Sequence, residues 1–222
     1  YFIERSSSNL LQSSYSEIVE KVMPAVVNIY SERISSSRFS SKKSNKSLYS
    51  IFGITEPRLE KSLGSGVIFS KDGYILTNLH VIGESNLSIT VELSDGATKE
   101  AKVIGVDIGT DLAVLKIETD QNLPTLKIGD SDKIKIGDIA LAIGNPYGVG
   151  QSVSLGIISA TGREFNNPYS NYIQTDAAIN KGNSGGALID SKGRLIGINT
   201  LIRSTSGGSE GVGLAIPSTT TL

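Results

Sequence analysis

Gly66-Val67-Ile68-Phe69-Ser70-Lys71-Asp72-Gly73-Tyr74-Ile75-Leu76-Thr77-Asn78 reads as two strands and the turn that joins them. Apolar residues bracket an Asp-Gly pair, and that pair accepts the backbone conformation of a tight hairpin. The pattern returns along the chain. Segments 87–93 and 98–105 flank Ser94-Asp95-Gly96, and Ser191-Lys192-Gly193 separates 186–189 from 195–201. Residues 112–117, 139–143, 153–161, 172–175 and 213–216 are further short apolar runs. Short strands at regular spacing, with almost no helical periodicity, predict an all-β barrel or sandwich. Asn122-Leu123-Pro124 marks a crossing between two halves, with roughly six strands on each side.

Upstream of the first hairpin, residues 1–16 form a polar, serine-rich arm. Over 17–23, Ile18, Val19, Val22 and Met23 share one helical face, with Ser16 as the expected N-cap and Pro24 as the stop. Residues 25–30 then read as a strand. The stretch 31–62 is rich in serine and carries Arg33, Arg38, Lys42, Lys43 and Lys46, so a long mobile, solvated loop is expected. Its apolar patch, Tyr49, Ile51 and Phe52, is the alternative: a contact with an anionic membrane or a partner. The expected organisation is thus an arm, helix and strand over 1–30, a loop over 31–62, and two β-rich units over 63–123 and 124–222.

Composition removes several classes of function. The 21 basic and 22 acidic residues leave a net charge of −1, so nothing global points to nucleic acid. No window is apolar over the roughly 18 residues of a membrane span. The chain has no cysteine, which excludes a thiol nucleophile, disulfides and thiolate metal sites. A single histidine in 222 residues argues against zinc, so no metal or other cofactor is expected. The opening Tyr1-Phe2-Ile3 reads as a trimmed front rather than a whole signal peptide.

Chemistry must then come from oxygen nucleophiles, carboxylates, lysine or that one imidazole. Gly182-Asn183-Ser184-Gly185-Gly186 places a serine among glycines, which suits a tight turn whose N–H groups converge on one point. A serine hydroxyl is a weak nucleophile until a base takes its proton, and His80 is the only imidazole present. The base in turn needs a carboxylate to fix its tautomer. Asp111, directly ahead of the apolar run 112–117, is placed for this, and Asp107 nearby is open to the same role. The order His80, Asp111, Ser184 is one that such triads use, with histidine and acid in the first half and serine in the second.

Eight ordered runs carry a resemblance to the trypsin-like serine peptidases, and within them to the HtrA (Deg) family. They include Leu63-Gly64-Ser65-Gly66-Val67-Ile68, Gly73-Tyr74-Ile75-Leu76-Thr77-Asn78-Leu79-His80-Val81, Thr110-Asp111-Leu112-Ala113-Val114-Leu115-Lys116, Ala142-Ile143-Gly144-Asn145-Pro146 and Gln174-Thr175-Asp176-Ala177-Ala178-Ile179-Asn180. The resemblance implies two perpendicular six-stranded barrels, a triad of His80, Asp111 and Ser184, and an oxyanion hole from the backbone of Gly182, Asn183 and Ser184. It also implies an ATP-independent endopeptidase of the periplasm that assembles as a homotrimer through its N-terminal segment. A PDZ domain and a peptide activator are expected outside this chain. Ser14-Tyr15-Ser16, the run Pro24-Ala25-Val26-Val27-Asn28-Ile29-Tyr30 and Leu141-Ala142-Ile143-Gly144-Asn145-Pro146-Tyr147 look most like the membrane-anchored stress-sensor branch typified by DegS. That branch cleaves a periplasmic anti-sigma factor, and Tyr1-Phe2-Ile3 would be the stub of its anchor. The long 31–62 stretch resembles instead the general quality-control proteases that degrade unfolded proteins.

On the same resemblance, Asn199, Thr200 and Leu201 are expected to pair with an extended substrate, and Ile179 and Leu201 to line its primary pocket. No carboxylate occupies 177–182, so a small or medium aliphatic side chain is expected before the cleaved bond. The loops 148–151, 163–171, 180–183 and 203–211 are rich in Gly, Ser and Asn and are expected to order on activation, with Arg163 as the relay. The competing reading is a binding or chaperone module on a protease fold.

Overall fold

A computed structural model describes residues 14–35, 58–83, 86–145, 150–164, 171–202 and 209–221. The chain opens with a helix, α1 (Ser16–Val22), and a 3-10 turn (Met23–Ala25). Ser16 is the first helical residue rather than the cap. Tyr15 holds the N-cap position without a side-chain bond, and Ser14 Oγ accepts from the Ser16 N–H at 3.2 Å. Pro24 sits in the 3-10 turn, where its missing N–H costs no hydrogen bond.

Six strands close the first barrel: β1 (Val26–Ser35), β2 (Arg58–Ile68), β3 (Tyr74–Asn78), β4 (Asn86–Glu92), β5 (Thr98–Asp107) and β6 (Leu112–Ile117), in the order β1-β2-β3-β6-β5-β4. Two expectations change here. The strand read over 25–30 runs on to Ser35, and β2 starts at Arg58, so both ends of the supposed loop 31–62 are strand. The reason is pairing rather than pattern. Ser31, Glu32 and Arg33 lie opposite Ser62, Lys61 and Glu60, and Glu32 forms an ion pair with Lys61 at 2.7 Å. β1, whose first half was expected as a strand, is a wall of the barrel between β2 and β4. The remainder of that stretch, with Tyr49, Ile51 and Phe52, lies outside the described residues.

The second barrel is built from β8 (Ile139–Gly144), β9 (Ser152–Arg163), β10 (Tyr172–Thr175), β11 (Ala187–Asp190), β12 (Arg194–Ile202) and β13 (Gly213–Pro217). These pair antiparallel in the order β11-β8-β9-β10-β13-β12, and β11–β12 pairing closes the ring. A two-residue strand, β7 (Lys127–Ile128), adds to β12 in parallel. The architecture is the double six-stranded barrel of the trypsin-like fold.

Alternation along each strand divides the apolar residues among three cores. Val27, Ile29, Ile75 and Leu115 fill the first barrel, and Ala140, Ala142, Ile158 and Leu188 fill the second. Their neighbours Val26, Leu76, Leu141, Ile143, Ala187 and Ile216 point the other way and form the layer between the barrels. This explains why Ile139-Ala140-Leu141-Ala142-Ile143 is a continuous apolar run: both of its faces are buried. α1 caps the same layer through Val22, with Ile18 and Val19 against it. Among the described residues, no helix is long and apolar enough to cross a membrane.

Candidate active site between the barrels

β3 delivers the histidine. The strand ends at Asn78, and the chain makes one helical turn, α2 (Leu79–Ile82), that carries His80. So short a helix has no internal means of satisfying its first N–H groups. Asp111 supplies it from the neighbouring hairpin. Its carbonyl accepts from the Leu79 N–H at 2.9 Å and from Asn78 Nδ2 at 3.1 Å, and its Oδ1 accepts from the His80 N–H at 2.9 Å. Its other oxygen, Oδ2, lies 2.6 Å from His80 Nδ1. A carboxylate can only accept, so Nδ1 carries the proton and Nε2 is left as the basic nitrogen. The two side chains are part-exposed, 43% for His80 and 28% for Asp111.

Asp111 has φ of +60°, the only positive value among the described non-glycine residues. Left-handed backbone is uncommon for a residue with a Cβ and is most tolerable for Asp and Asn. The turn that imposes it also separates the two candidate acids. Asp107 accepts from the Gly109 N–H at 2.9 Å and Thr110 Oγ1 at 2.8 Å, so it builds the turn while Asp111 faces the imidazole.

The serine comes from the second barrel. Ser184 is half-buried in the turn between β10 and β11, and its Oγ donates to the Thr200 carbonyl at 2.9 Å. Thr200 also faces the acid: its Oγ1 donates to Asp111 Oδ2 at 3.2 Å. The register between β12 and β13 slips between Asn199 and Leu201, so Thr200 is a bulge residue with its backbone released from the ladder. One residue thus touches both Asp111 and Ser184 and joins the two barrels at the site. The serine hydroxyl is turned towards Thr200 and makes no hydrogen bond to His80 among the described residues.

The backbone around Ser184 is closely specified. Asn183 N–H bonds to Asn180 O at 3.0 Å, and Gly182, at φ +103°, takes the third position of that four-residue turn, a left-handed position suited to glycine. Gly186 N–H bonds to Asn183 O at 2.9 Å, and Gly185 N–H to Asn199 O at 2.7 Å. Asn183's own N–H is therefore committed to the turn and is not a free donor. The N–H groups of Gly182 and Ser184 have no partner among the described residues.

The other expected residues behave differently. Asn199 is fully buried, its backbone N–H and carbonyl are used by Gly186 and Gly185, and its Nδ2 donates to the Ile143 and Ala187 carbonyls. It holds the serine turn to β12 and has no edge to offer a substrate. Ile179 is 1% exposed and packs inside the second barrel, where a Cβ on Gly213 would meet its side chain at 2.8 Å. The Leu201 side chain lies outside the described residues. Arg163 is exposed at the end of β9, and its Nε donates to Gln174 Oε1 at 3.2 Å. Of the four loops, 146–149, 165–170 and 203–208 lie outside the described residues.

Two contributors lie outside the expected site residues, although Asn180 opens the 180–183 loop and Ser65 lies in the run 63–68. Asn180 takes the Asn183 N–H on its carbonyl and the Ser209 N–H on its side chain at 2.9 Å, and Ser65 reaches the serine turn from β2. Ser65 lies between Gly64 and Gly66, and paired glycines in a strand are a cue for close backbone approach.

Residues 64–198, more than half of the chain, match the family model described as "Trypsin-like peptidase domain". Among curated proteins, the chain is 48% identical to a "Probable periplasmic serine endoprotease DegP-like" of Buchnera aphidicola over 92% of its length and 46% of that protein. It is 45% identical to the "Periplasmic pH-dependent serine endoprotease DegQ" of Escherichia coli, over 92% of this chain and 46% of that one. The chain spans about half the length of the curated relatives it matches. Among solved structures, a variant of the HtrA-type protease AlgW with a decapeptide superposes with a TM-score of 0.84 at 48% identity, covering 93% of this chain and 64% of that one. AlgW with a tripeptide gives 0.78 at 50% identity, covering 93% and 60%.

Proposed function

Because the chain belongs to the trypsin-like peptidase family, among the HtrA/DegP serine proteases, we propose that it is a serine endopeptidase of the bacterial envelope in which Ser184 is the nucleophile, His80 the general base and Asp111 the group that orients it. The observation that carries this reading is the connected set at the barrel interface: His80 Nδ1 on Asp111 Oδ2 at 2.6 Å, with Thr200 linking that carboxylate to Ser184.

In the proposed reaction, rotation about the Ser184 side chain moves Oγ from the Thr200 carbonyl to His80 Nε2. Oγ attacks the carbonyl carbon of a peptide bond, and its proton passes to Nε2. The carbonyl oxygen becomes an oxyanion held by the N–H groups of Gly182 and Ser184. Collapse expels the amine, which takes the proton from Nε2 and leaves an acyl ester on Ser184. Water then repeats the sequence and releases the acid. Asp111 stays ionised and stabilises the imidazolium.

Periplasmic location comes from the names of the relatives, and a peptide substrate from the peptides named in the AlgW structures. A small or medium aliphatic side chain before the cleaved bond remains the proposed preference. We read the finer role as regulated cleavage in an envelope-stress response, in a trimer tethered to the inner membrane. The Ser184 hydroxyl, turned towards the Thr200 carbonyl, supports a resting state with a low basal rate that a signal raises. The DegP and DegQ relatives support a second reading, general degradation of unfolded periplasmic proteins.

The test is labelling with a serine-directed fluorophosphonate. Wild type should label, and Ser184→Ala and His80→Ala should not. Labelling that survives Ser184→Ala would remove Ser184 as the nucleophile. Cleavage of one anti-sigma segment against broad cleavage of unfolded proteins separates the two roles.

A further inference from the structure

The serine turn is not held by its own barrel alone. Ser65, in β2 of the first barrel, is fully buried and grips the turn at two points. Its N–H donates to the Ser184 carbonyl at 2.8 Å, and its Oγ donates to the Gly182 carbonyl at 2.7 Å. The same Oγ accepts the Asn145 N–H at 3.0 Å, and its carbonyl accepts Thr77 Oγ1 at 2.7 Å. With Asn145 donating to the hydroxyl oxygen, the hydroxyl hydrogen is committed to Gly182. Gly64, next to Ser65, permits the approach: a Cβ there would meet the Val81 side chain at 2.5 Å and the Ser184 carbonyl at 3.1 Å.

Hydrogen bonds fix three successive peptide planes of the turn. The Gly182–Asn183 plane is fixed at its carbonyl by Ser65 Oγ and at its N–H by Asn180 O. The Asn183–Ser184 plane, which carries the Ser184 N–H, is fixed at its carbonyl by Gly186 N–H. The next plane is fixed at the Ser184 carbonyl by Ser65 N–H. Two of the three carbonyl anchors are therefore supplied by one residue of the opposite barrel. Gly182 has no Cβ to restrict its backbone, so its conformation must be imposed from outside.

We infer that Ser65 is a positioning residue: it sets the aim of the Gly182 and Ser184 N–H groups at the oxyanion, through hydrogen bonds made across the barrel interface. It touches no reacting atom. The inference rests on the proposed role of Ser184.

The test measures kcat and KM for a cleavable peptide, with fluorophosphonate labelling, on wild type, Ser65→Ala, Ser65→Thr and Ser218→Ala. Ser218 is a matched control, because its buried hydroxyl donates to the Gly129 carbonyl at 2.8 Å away from the serine turn. Loss of a whole oxyanion donor costs about 10²–10³ in kcat. A misdirected pair in Ser65→Ala should cost about tenfold to a hundredfold in kcat, with KM within about twofold, and Ser65→Thr should recover part of the loss. Ser218→Ala should lower the melting temperature and leave kcat near wild type. Should Ser65→Ala not fold, Ser65→Cys carries the same test, since a thiol fills the space but donates weakly. A kcat within about threefold of wild type in the folded Ser65 variant, or an equal loss in Ser218→Ala, overturns the inference. A wild-type chain that neither cleaves nor labels overturns the proposed function instead, and this inference with it.

Discussion

The hydroxyl of Ser184 donates to the carbonyl of Thr200 at 2.9 Å, and the hydroxyl of that threonine donates to Asp111 Oδ2 at 3.2 Å. Among the described residues, Thr200 is the one side chain of the second barrel that hydrogen-bonds to the carboxylate. Thr200→Val keeps the backbone carbonyl and the buried volume and removes only the second bond. Hydrogen bonds to charged groups contribute about 1.5–3 kcal/mol, and Asp111 is part-exposed, so the lower end applies. We expect kcat/KM to fall about tenfold, with a melting-temperature loss of roughly 3–6 °C. Cleavage and labelling rates at wild-type level would show that water replaces the threonine hydroxyl at no cost.

Asp111 holds two jobs with one side chain, capping α2 and fixing the imidazole. Asp111→Asn separates them. Asparagine accepts the left-handed backbone at φ +60° as readily as aspartate, and its carbonyl oxygen can still take the His80 N–H. Its amide nitrogen, however, donates towards Nδ1 and favours the wrong tautomer. Circular dichroism should be unchanged while kcat falls by roughly 10⁴, the cost of that exchange in another serine protease triad. A loss below about tenfold would mean that the carboxylate is not needed to orient His80.

Much of this site is local information and was legible for that reason. Asp-Gly pairs at 72–73 and 95–96 located hairpins, alternation located the strands, and Ser184 stood out because of its glycine neighbours. What escaped the sequence reading acts over distance. Ser65 and Gly182 are 117 residues apart, and Thr200 and Asp111 are 89 apart. Bonds of that separation leave no periodicity in the chain. Polar strand ends escaped for a related reason: Ser31 is buried with its hydroxyl on the Val81 carbonyl, so β1 continues through residues that look solvated. Asn199 is expected with Thr200 and Leu201 to pair with a substrate on the family resemblance alone, but its buried amide bonds inward to the Ile143 and Ala187 carbonyls.

Glu92 predicts a pH dependence of stability. Its carboxylate accepts from Asn28 Nδ2 at 3.0 Å and from the Tyr30 hydroxyl at 2.8 Å, and these bonds, that from Asn28 first, hold its pKa below the usual carboxylate range. A depressed folded value means that the bonds stabilise fully above the unfolded value of about 4.3, and that this contribution is lost as pH falls through the lower folded value. Glu92→Gln removes the titration. The melting-temperature advantage of wild type over Glu92→Gln should therefore shrink as pH drops from about 6 to about 3. Parallel acid profiles for the two proteins would mean that these bonds do not favour the charged form.

Gly185 and Gly96 have nearly the same φ, +83° and +82°, in different surroundings. A Cβ on Gly96 meets nothing within 4 Å, so Gly96→Ala costs only the left-handed penalty of about 1–2 kcal/mol. For a chain of this size that is roughly 2–8 °C in melting temperature. A Cβ on Gly185 runs into the Ser65 carbonyl oxygen and Thr77 Oγ1, backbone and buried side chain that have no free volume to yield. Gly185→Ala should therefore fall well below Gly96→Ala in thermal melting and lose labelling at Ser184. Equal melting shifts would show that β2 gives way around the added methyl group, and the close seating of the turn against Ser65 would then carry no stability.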